Sequence, residues 1–230
     1  YVRTHPLTTN RINAIKHFFE TEDPHKDAKL DKKFVRKHNR MKAKLLGYLH
    51  PQTALLQFTD KDKRIDARYA RAVALHRTNK TDRALFLADS LLKEEPDNPF
   101  FIELKAQILF ETGKVAKAAK LYARATTLLP KAALLRQAYG HALLEVGDDT
   151  QLDQAITELS EAGRLEQRSP RTWRFLARAW GRKAEITNNK RYHGLSIYAL
   201  AEEALTLGKD KDAKKLAQKS SKLLKKGSPY

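Results

Sequence analysis

The chain repeats itself every 34 residues. Between residues 65 and 147, Pro96 recurs as Pro130 and Ala84 as Ala118. Leu75, Leu109 and Leu143 share one phase, Asn79, Gly113 and Gly147 a second, and Ala72, Ala106 and Gly140 a third. A period of this length is one helical hairpin. Small residues at a fixed phase mark the place where paired helices cross, and Asn or Gly at a fixed phase marks the turn between them. One hairpin cannot bury its apolar face alone, so successive hairpins stack into a continuous superhelix. Composition agrees with this reading. Of 230 residues, 41% are hydrophobic and 31% charged, enough for a core and unlike a disordered chain. Nine glycines and eight prolines favour helices over a turn-rich β sandwich. The expected fold class is all-α.

The pattern resembles the tetratricopeptide (TPR) repeat. The second repeat carries the most positions, with Ala106, Gly113, Ala118, Tyr122, Ala125 and Pro130 in place. After Gly147 the spacing stretches, Ala118 mapping to Ala155, Ala125 to Ala162 and Leu143 to Trp180. Three extra residues near Asp148–Gln151 lengthen a turn, where an insertion costs least. A fourth helix A is expected over 170–187, with Trp173, Leu176, Ala177 and Trp180 as its core stripe. Asn188–Gly194 reads as a loop. Helices at about 195–207 and 210–224 follow, broken at Gly208. The first of these pairs either as helix B of the fourth repeat or as helix A of a fifth. Lys211, Lys214, Lys215, Lys219, Lys222, Lys225 and Lys226 suit the last helix to a polar cap. Asn98-Pro99 and Ser169-Pro170 each place an N-cap before a proline at the first helical position. The architecture is a TPR-type helical-hairpin solenoid of about four repeats over residues 64–230. A helical linker region precedes it over residues 1–63. Helices are expected there at 9–20, 27–47 and 51–58, with turns at Asp23-Pro24 and His50-Pro51. Leu45, Leu46, Tyr48 and Leu49 form an apolar patch suited to docking on the first TPR helix.

Several chemistries are excluded. Without cysteine there is no disulfide scaffold, no thiolate zinc site and no Cys nucleophile. No His precedes a Glu in an H-E-x-x-H motif, and the glycines form no Walker loop, G-x-S-x-G or G-x-G-x-x-G. The chain itself has no catalytic motif and calls for no cofactor or metal. No apolar run reaches membrane-spanning length. With Tyr1 first and no signal peptide, the chain reads as a fragment or mature piece of a longer protein.

The opening, Tyr1-Val2-Arg3-Thr4-His5-Pro6-Leu7-Thr8-Thr9-Asn10-Arg11-Ile12, resembles the T-H-P-L-x-x-x-R-I segment closing the catalytic domain of HtpX-like and BepA-like bacterial zinc metalloendopeptidases. The stretch His38-Asn39-Arg40-Met41-Lys42-Ala43-Lys44-Leu45-Leu46-Gly47-Tyr48-Leu49 is similar to the bridging helix of that group. The resemblance implies the C-terminal, non-catalytic half of a periplasmic protease of envelope protein quality control. The parent would carry the zinc and the protease domain in cis, and His5 would lie near its active site. The zinc ligands and catalytic Glu of the group have no counterpart here. A free-standing TPR adaptor with no protease attached is the alternative.

In a TPR, positions 2, 5, 9 and 12 of helix A line the concave groove. These are Asp66, Tyr69, Val73 and His76, then Phe100, Glu103, Gln107 and Phe110, then Leu134, Gln137, His141 and Leu144. The fourth stripe reads Arg171, Arg174, Arg178 and Arg182, on one helix face. Two readings stay open: a solvated basic face paired locally with acids, or a groove for acidic or C-terminal carboxylate segments of a protein or peptide, gripped by guanidinium forks. The formal charge of +18 permits nucleic acid, but the basic residues are spread over all segments and aromatics are 8%, which makes it an unlikely partner. An anionic envelope surface would attract the last helix, whose apolar face is only Leu216, Leu223 and Leu224.

Overall fold

The computed structural model describes residues 9–22 and 30–224. The described residues are helical throughout, with no strand among them. The helices are α1 (Thr9–His17), α2 (Lys32–Leu49), α3 (Pro51–Gln57), α4 (Ile65–Arg77), α5 (Thr81–Glu94), α6 (Pro99–Glu111) and α7 (Val115–Leu128), then α8 (Ala133–Val146), α9 (Leu152–Leu165), α10 (Pro170–Thr187), α11 (Lys190–Thr206) and α12 (Asp210–Ser221). The all-α solenoid expected from the period is what the chain forms. His5, the Asp23-Pro24 turn, Lys225 and Lys226 lie outside the described residues.

The chain divides into two compact units, residues 1–42 and 43–230. In the first, α1 ends at His17 and runs on as a π-helical turn, Phe18–Glu22. Ile12, Ile15, Phe18 and Phe19 are exposed, as are Phe34 and Met41 in the first ten residues of α2.

In the second unit, the first three hairpins are α4–α5, α6–α7 and α8–α9. Their crossing points fall on the repeated small residues. Ala72, Ala84, Ala106 and Ala118 are fully buried. A Cβ on Gly140 would come 2.6 Å from Leu159 Cγ, so only glycine allows α8 and α9 this approach. Leu91, Ile108 and Leu159 fill the spaces between helices, each contributing about 1.5–3 kcal/mol of burial. The turns are also repeated. Asn79, Gly113, Asn188 and Gly208 all have positive φ. At each, the next N–H bonds the carbonyl five residues back: Lys80 to Leu75, Lys114 to Leu109, Asn189 to Ala184 and Lys209 to Ala204. This left-handed cap closes a helix and reverses the chain in three residues. The insertion after Gly147 forms a 3-10 turn over Asp149–Gln151, capped by Asp148. Between hairpins, the Asn98 and Ser169 side chains accept from the N–H of Phe100 and Thr172, the two N-caps expected.

Three expectations are corrected. Asn188–Gly194 is not a loop: Asn189 caps a helix that begins at Lys190, and Gly194 lies within it. Gly194 is there for close packing, since a Cβ would meet Leu224 Cδ2 at 2.9 Å and Leu223 Cβ at 3.0 Å. The pairing of the last helices is not a choice between two partners, because α11 takes both. Ser196 Oγ donates to the Ala177 carbonyl of α10, and Ser220 Oγ of α12 donates to the Gly194 carbonyl, both at 2.9 Å. Finally, only Leu46 of the expected patch enters the apolar core at the first repeat, joining Ala43, Phe58, Ala67 and Ala70, while Tyr48 meets that repeat at the surface, with the Arg77 guanidinium of α4 4.7 Å from its ring centroid. Helical periodicity leaves Leu45, Tyr48 and Leu49 exposed.

Candidate functional site

The inward positions of successive A helices meet in a line. Phe110 of α6, His141 of α8 and Phe175 of α10 form a column. The rings of Phe110 and His141 are 4.8 Å apart and those of His141 and Phe175 3.9 Å, the latter pair stacked at 14°. His141 Nε2 lies 3.3 Å from Glu145 Oε1 one turn later. Burial pushes the His141 pKa down, and it outweighs the pull of Glu145 upward; Arg178 and Arg171 push in the same direction as burial. The imidazole is therefore neutral at pH 7 and behaves as a third aromatic ring.

Polar groups flank the column. At the α4 side, His76 Nε2 is 3.0 Å from Glu111 Oε2, and Gln107 donates to Glu111 Oε1 at 2.9 Å. At the α10 side, Arg178 pairs with Glu145 at 2.9 Å, and Arg182 with Asp149 at 2.5 Å and the Gly147 carbonyl at 2.6 Å. Arg174 turns away to Glu203 of α11, a buried carboxylate, at 2.5 Å. Arg171 has no ion pair or hydrogen bond among the described residues. Beside Arg178 and Arg182 lies a hollow of about 430 Å³, completed by Leu144, Gly181 and Glu185.

The structure thus sorts the expected site residues. His76, Gln107, Phe110, His141, Arg171, Arg178 and Arg182 come together along the groove. Tyr69 and Gln137 do not present themselves there. Tyr69 is buried edge-to-face against Phe101 at 5.1 Å. Gln137 is buried and donates to Ser169 and Thr172, tying α8 to the start of α10. Arg174 is a tie between α10 and α11. The basic face is in large part locally paired, the first of the two readings above. The Arg178 and Arg182 pairs are at least partly solvent-exposed, worth roughly 0.2–1 kcal/mol each, so a competing carboxylate can exchange with them. Sequence reasoning missed Phe175, Glu111 and Glu145. Phe175 was legible, since Arg171, Phe175, Arg178 and Arg182 follow the i, i+4, i+7, i+11 spacing of one face better than the stripe through Arg174 does.

A family model for the tetratricopeptide repeat matches residues 67–191, more than half of the chain. The chain belongs to the tetratricopeptide repeat family. Three solved structures share the fold. MamA of MSR-1 is 17% identical with a TM-score of 0.54, over 82% of this chain and 97% of that one. MamA from Desulfovibrio magneticus RS-1 is 17% identical with a TM-score of 0.55, over 80% and 96%. MamA of AMB-1 is 20% identical with a TM-score of 0.53, over 78% and 96%. None of the curated proteins matches in sequence. TPR domains bind protein partners, and this chain is a protein–protein interaction module of that kind. No group of three His, Asp or Glu among the described residues converges as a metal site. No described helix is long and apolar enough to cross a membrane.

Proposed function

We propose that the groove from His76 to Arg182 docks a protein segment that carries acidic residues beside an apolar one. The observation behind this reading is the aromatic column Phe110–His141–Phe175 with Arg171 unpaired at its side. The column offers an apolar stripe, and Arg171 and Arg178 offer guanidinium forks for a carboxylate lying over it. Arg171→Glu with Arg178→Glu reverses that charge away from the core. The double variant should bind acidic peptides at least about tenfold more weakly, since losing about 1.4 kcal/mol of charged contact with the peptide is a factor of ten in affinity. Unchanged binding overturns the reading.

The wider role follows from the N-terminal resemblance. The segments Tyr1–Ile12 and His38–Leu49 support a place for this module behind the catalytic domain of a periplasmic zinc metalloendopeptidase, in cis, holding substrates or assembly partners for envelope protein quality control. Zinc would belong to that upstream domain. An anionic envelope surface is a further partner of this role, supported by the exposed lysines of α12. Mass spectrometry of the natural gene product, captured by an antibody to this chain, tests the role. Peptides upstream of Tyr1 containing H-E-x-x-H support it. A natural product beginning near Tyr1 replaces it with a free-standing adaptor.

A further inference from the structure

A second cationic hollow lies at the outer edge of the first hairpin, away from the groove. Its volume is about 480 Å³; the cations Lys63, Arg71 and Arg83, the carboxylates Asp60 and Asp82, and Leu75, Phe86 and Leu87 line it. Arg71 is buried, and its guanidinium forms an ion pair with Asp60 on the loop between α3 and α4. Arg83 reaches the same carboxylate at 3.5 Å, and Lys63 Nζ donates to the Asp60 carbonyl at 3.0 Å. Three cations therefore converge on one loop residue, whose own side chain is 72% exposed. Phe86 stands at the rim, 73% exposed.

The repeat explains what this place is for. One period later, Arg71 becomes Lys105 and Leu75 becomes Leu109. Lys105 pairs at 2.6 Å with Asp89, on α5, the helix B that precedes it in the stack. The corresponding helix before α4 is α3. It has seven residues, where α5, α7 and α9 have fourteen each. Asp60 thus supplies from a loop the carboxylate that the next repeat takes from a full-length helix.

We infer that this hollow is a docking site for an acidic helix of a partner protein, which displaces Asp60 from Arg71, pairs its own carboxylate with Arg71 and Arg83, and covers Phe86. The partner extends the stack where α3 stops short. Asp60 acts as an internal stand-in that keeps the buried guanidinium satisfied until the partner arrives. The site is separate from the groove and does not depend on the function proposed for it.

The probe is a labelled synthetic peptide of residues 81–94, the helix that makes the equivalent contact in this chain. Its affinity for the full chain is read by fluorescence anisotropy. Asp60→Asn should bind it at least about tenfold more tightly than the wild type, since the internal competitor is weakened. Arg71→Met should abolish binding, and the probe with Asp89→Asn should bind several-fold more weakly. Where Asp60→Asn alters the circular dichroism spectrum, Asp60→Ser takes its place. Equal affinity for wild type and Asp60→Asn, binding retained by Arg71→Met, or no binding to any variant overturns the proposal. Loss of the probe in the Arg171→Glu, Arg178→Glu variant would move it to the groove and overturn the proposal too.

Discussion

The two ends of the TPR stack are finished differently. At the C-terminal end, α11 is held on both sides: α10 covers one face and α12 the other. The contact with α12 is close, through Gly194, Leu223, Leu224 and the Ser220–Gly194 hydrogen bond. The outer face of α12 then meets water with Lys211, Lys214, Lys215 and Lys219. At the N-terminal end, α3 is half the length of the other B helices, a loop aspartate fills in for the missing helix, and Phe86 remains at the surface. A solenoid needs a polar cap wherever its repeats stop. The C-terminal end has one. The N-terminal end leaves Phe86 exposed beside Arg71 and Arg83, and the position of Arg71 one repeat on, Lys105, receives Asp89 of the preceding helix.

The comparison breaks most readily at α12. Ending the chain after Lys209 exposes the α11 face that Leu223, Leu224 and Ala213 cover, and should lower stability by about 3 kcal/mol or more. Urea unfolding followed by circular dichroism reads this as a lower midpoint. An unchanged midpoint means that α12 caps nothing. At the opposite end, Gly47→Ala places a Cβ 2.4 Å from the Ala70 carbonyl oxygen of α4, a backbone atom that cannot yield. The expected loss is about 1–3 kcal/mol. Gly194→Ala is the matched control. Its Cβ meets side-chain atoms only, Leu224 Cδ2 at 2.9 Å and Leu223 Cβ at 3.0 Å, so Leu223 and Leu224 must give way by a few tenths of an ångström. The gain in helix propensity of about 1 kcal/mol offsets part of the crowding, for a smaller loss than at Gly47. If the two glycine variants lose the same stability, the distinction between a backbone contact and a side-chain contact fails. Ser220→Ala removes a buried hydrogen bond and should cost about 1 kcal/mol, by the same measurement.

The groove supplies a pH dependence of its own. The His141 pKa is lowered in the folded protein, chiefly by burial. The unfolded chain therefore binds the proton more readily, with an ordinary imidazole pKa of about 6.5. This contribution is complete above that value and is lost as the pH falls from there toward the lowered folded value. Urea midpoints should drop between pH 7.5 and 5.5, and His141→Phe should flatten that part of the profile. A profile unchanged by the substitution would show that the ring is not buried as a neutral group.

Much of this architecture was legible in the sequence because the repeat writes each structural need at a fixed phase. Ala72, Ala106 and Gly140 mark the helix crossings, and Asn79, Gly113 and Gly208 the left-handed turns. The misreadings share one physical cause: a residue type serves two purposes. Gly194 was read as a chain breaker, yet it is a helix residue that lets α12 approach. Arg174 was read as a groove residue by its phase, yet it lies far enough round α10 to reach Glu203. Tyr69 and Gln137 hold groove phases but are consumed by packing and hydrogen bonds within the stack. The hollow at Arg71 was not legible at all. It arises from the shortness of α3, and helix length is weakly encoded when His50-Pro51 sets the start of α3 and nothing as strong sets its end.

Site-specific photo-crosslinking in the native cell tests the central claim most directly. A photoreactive amino acid would be placed singly at Phe110, Phe175, Phe86 and Lys214. Crosslinks to partner proteins from Phe110 and Phe175 in the groove and from Phe86 beside the Arg71 hollow, with none from Lys214 on α12, are predicted. Crosslinks from Lys214 with none from Phe110, Phe175 or Phe86 would contradict the account.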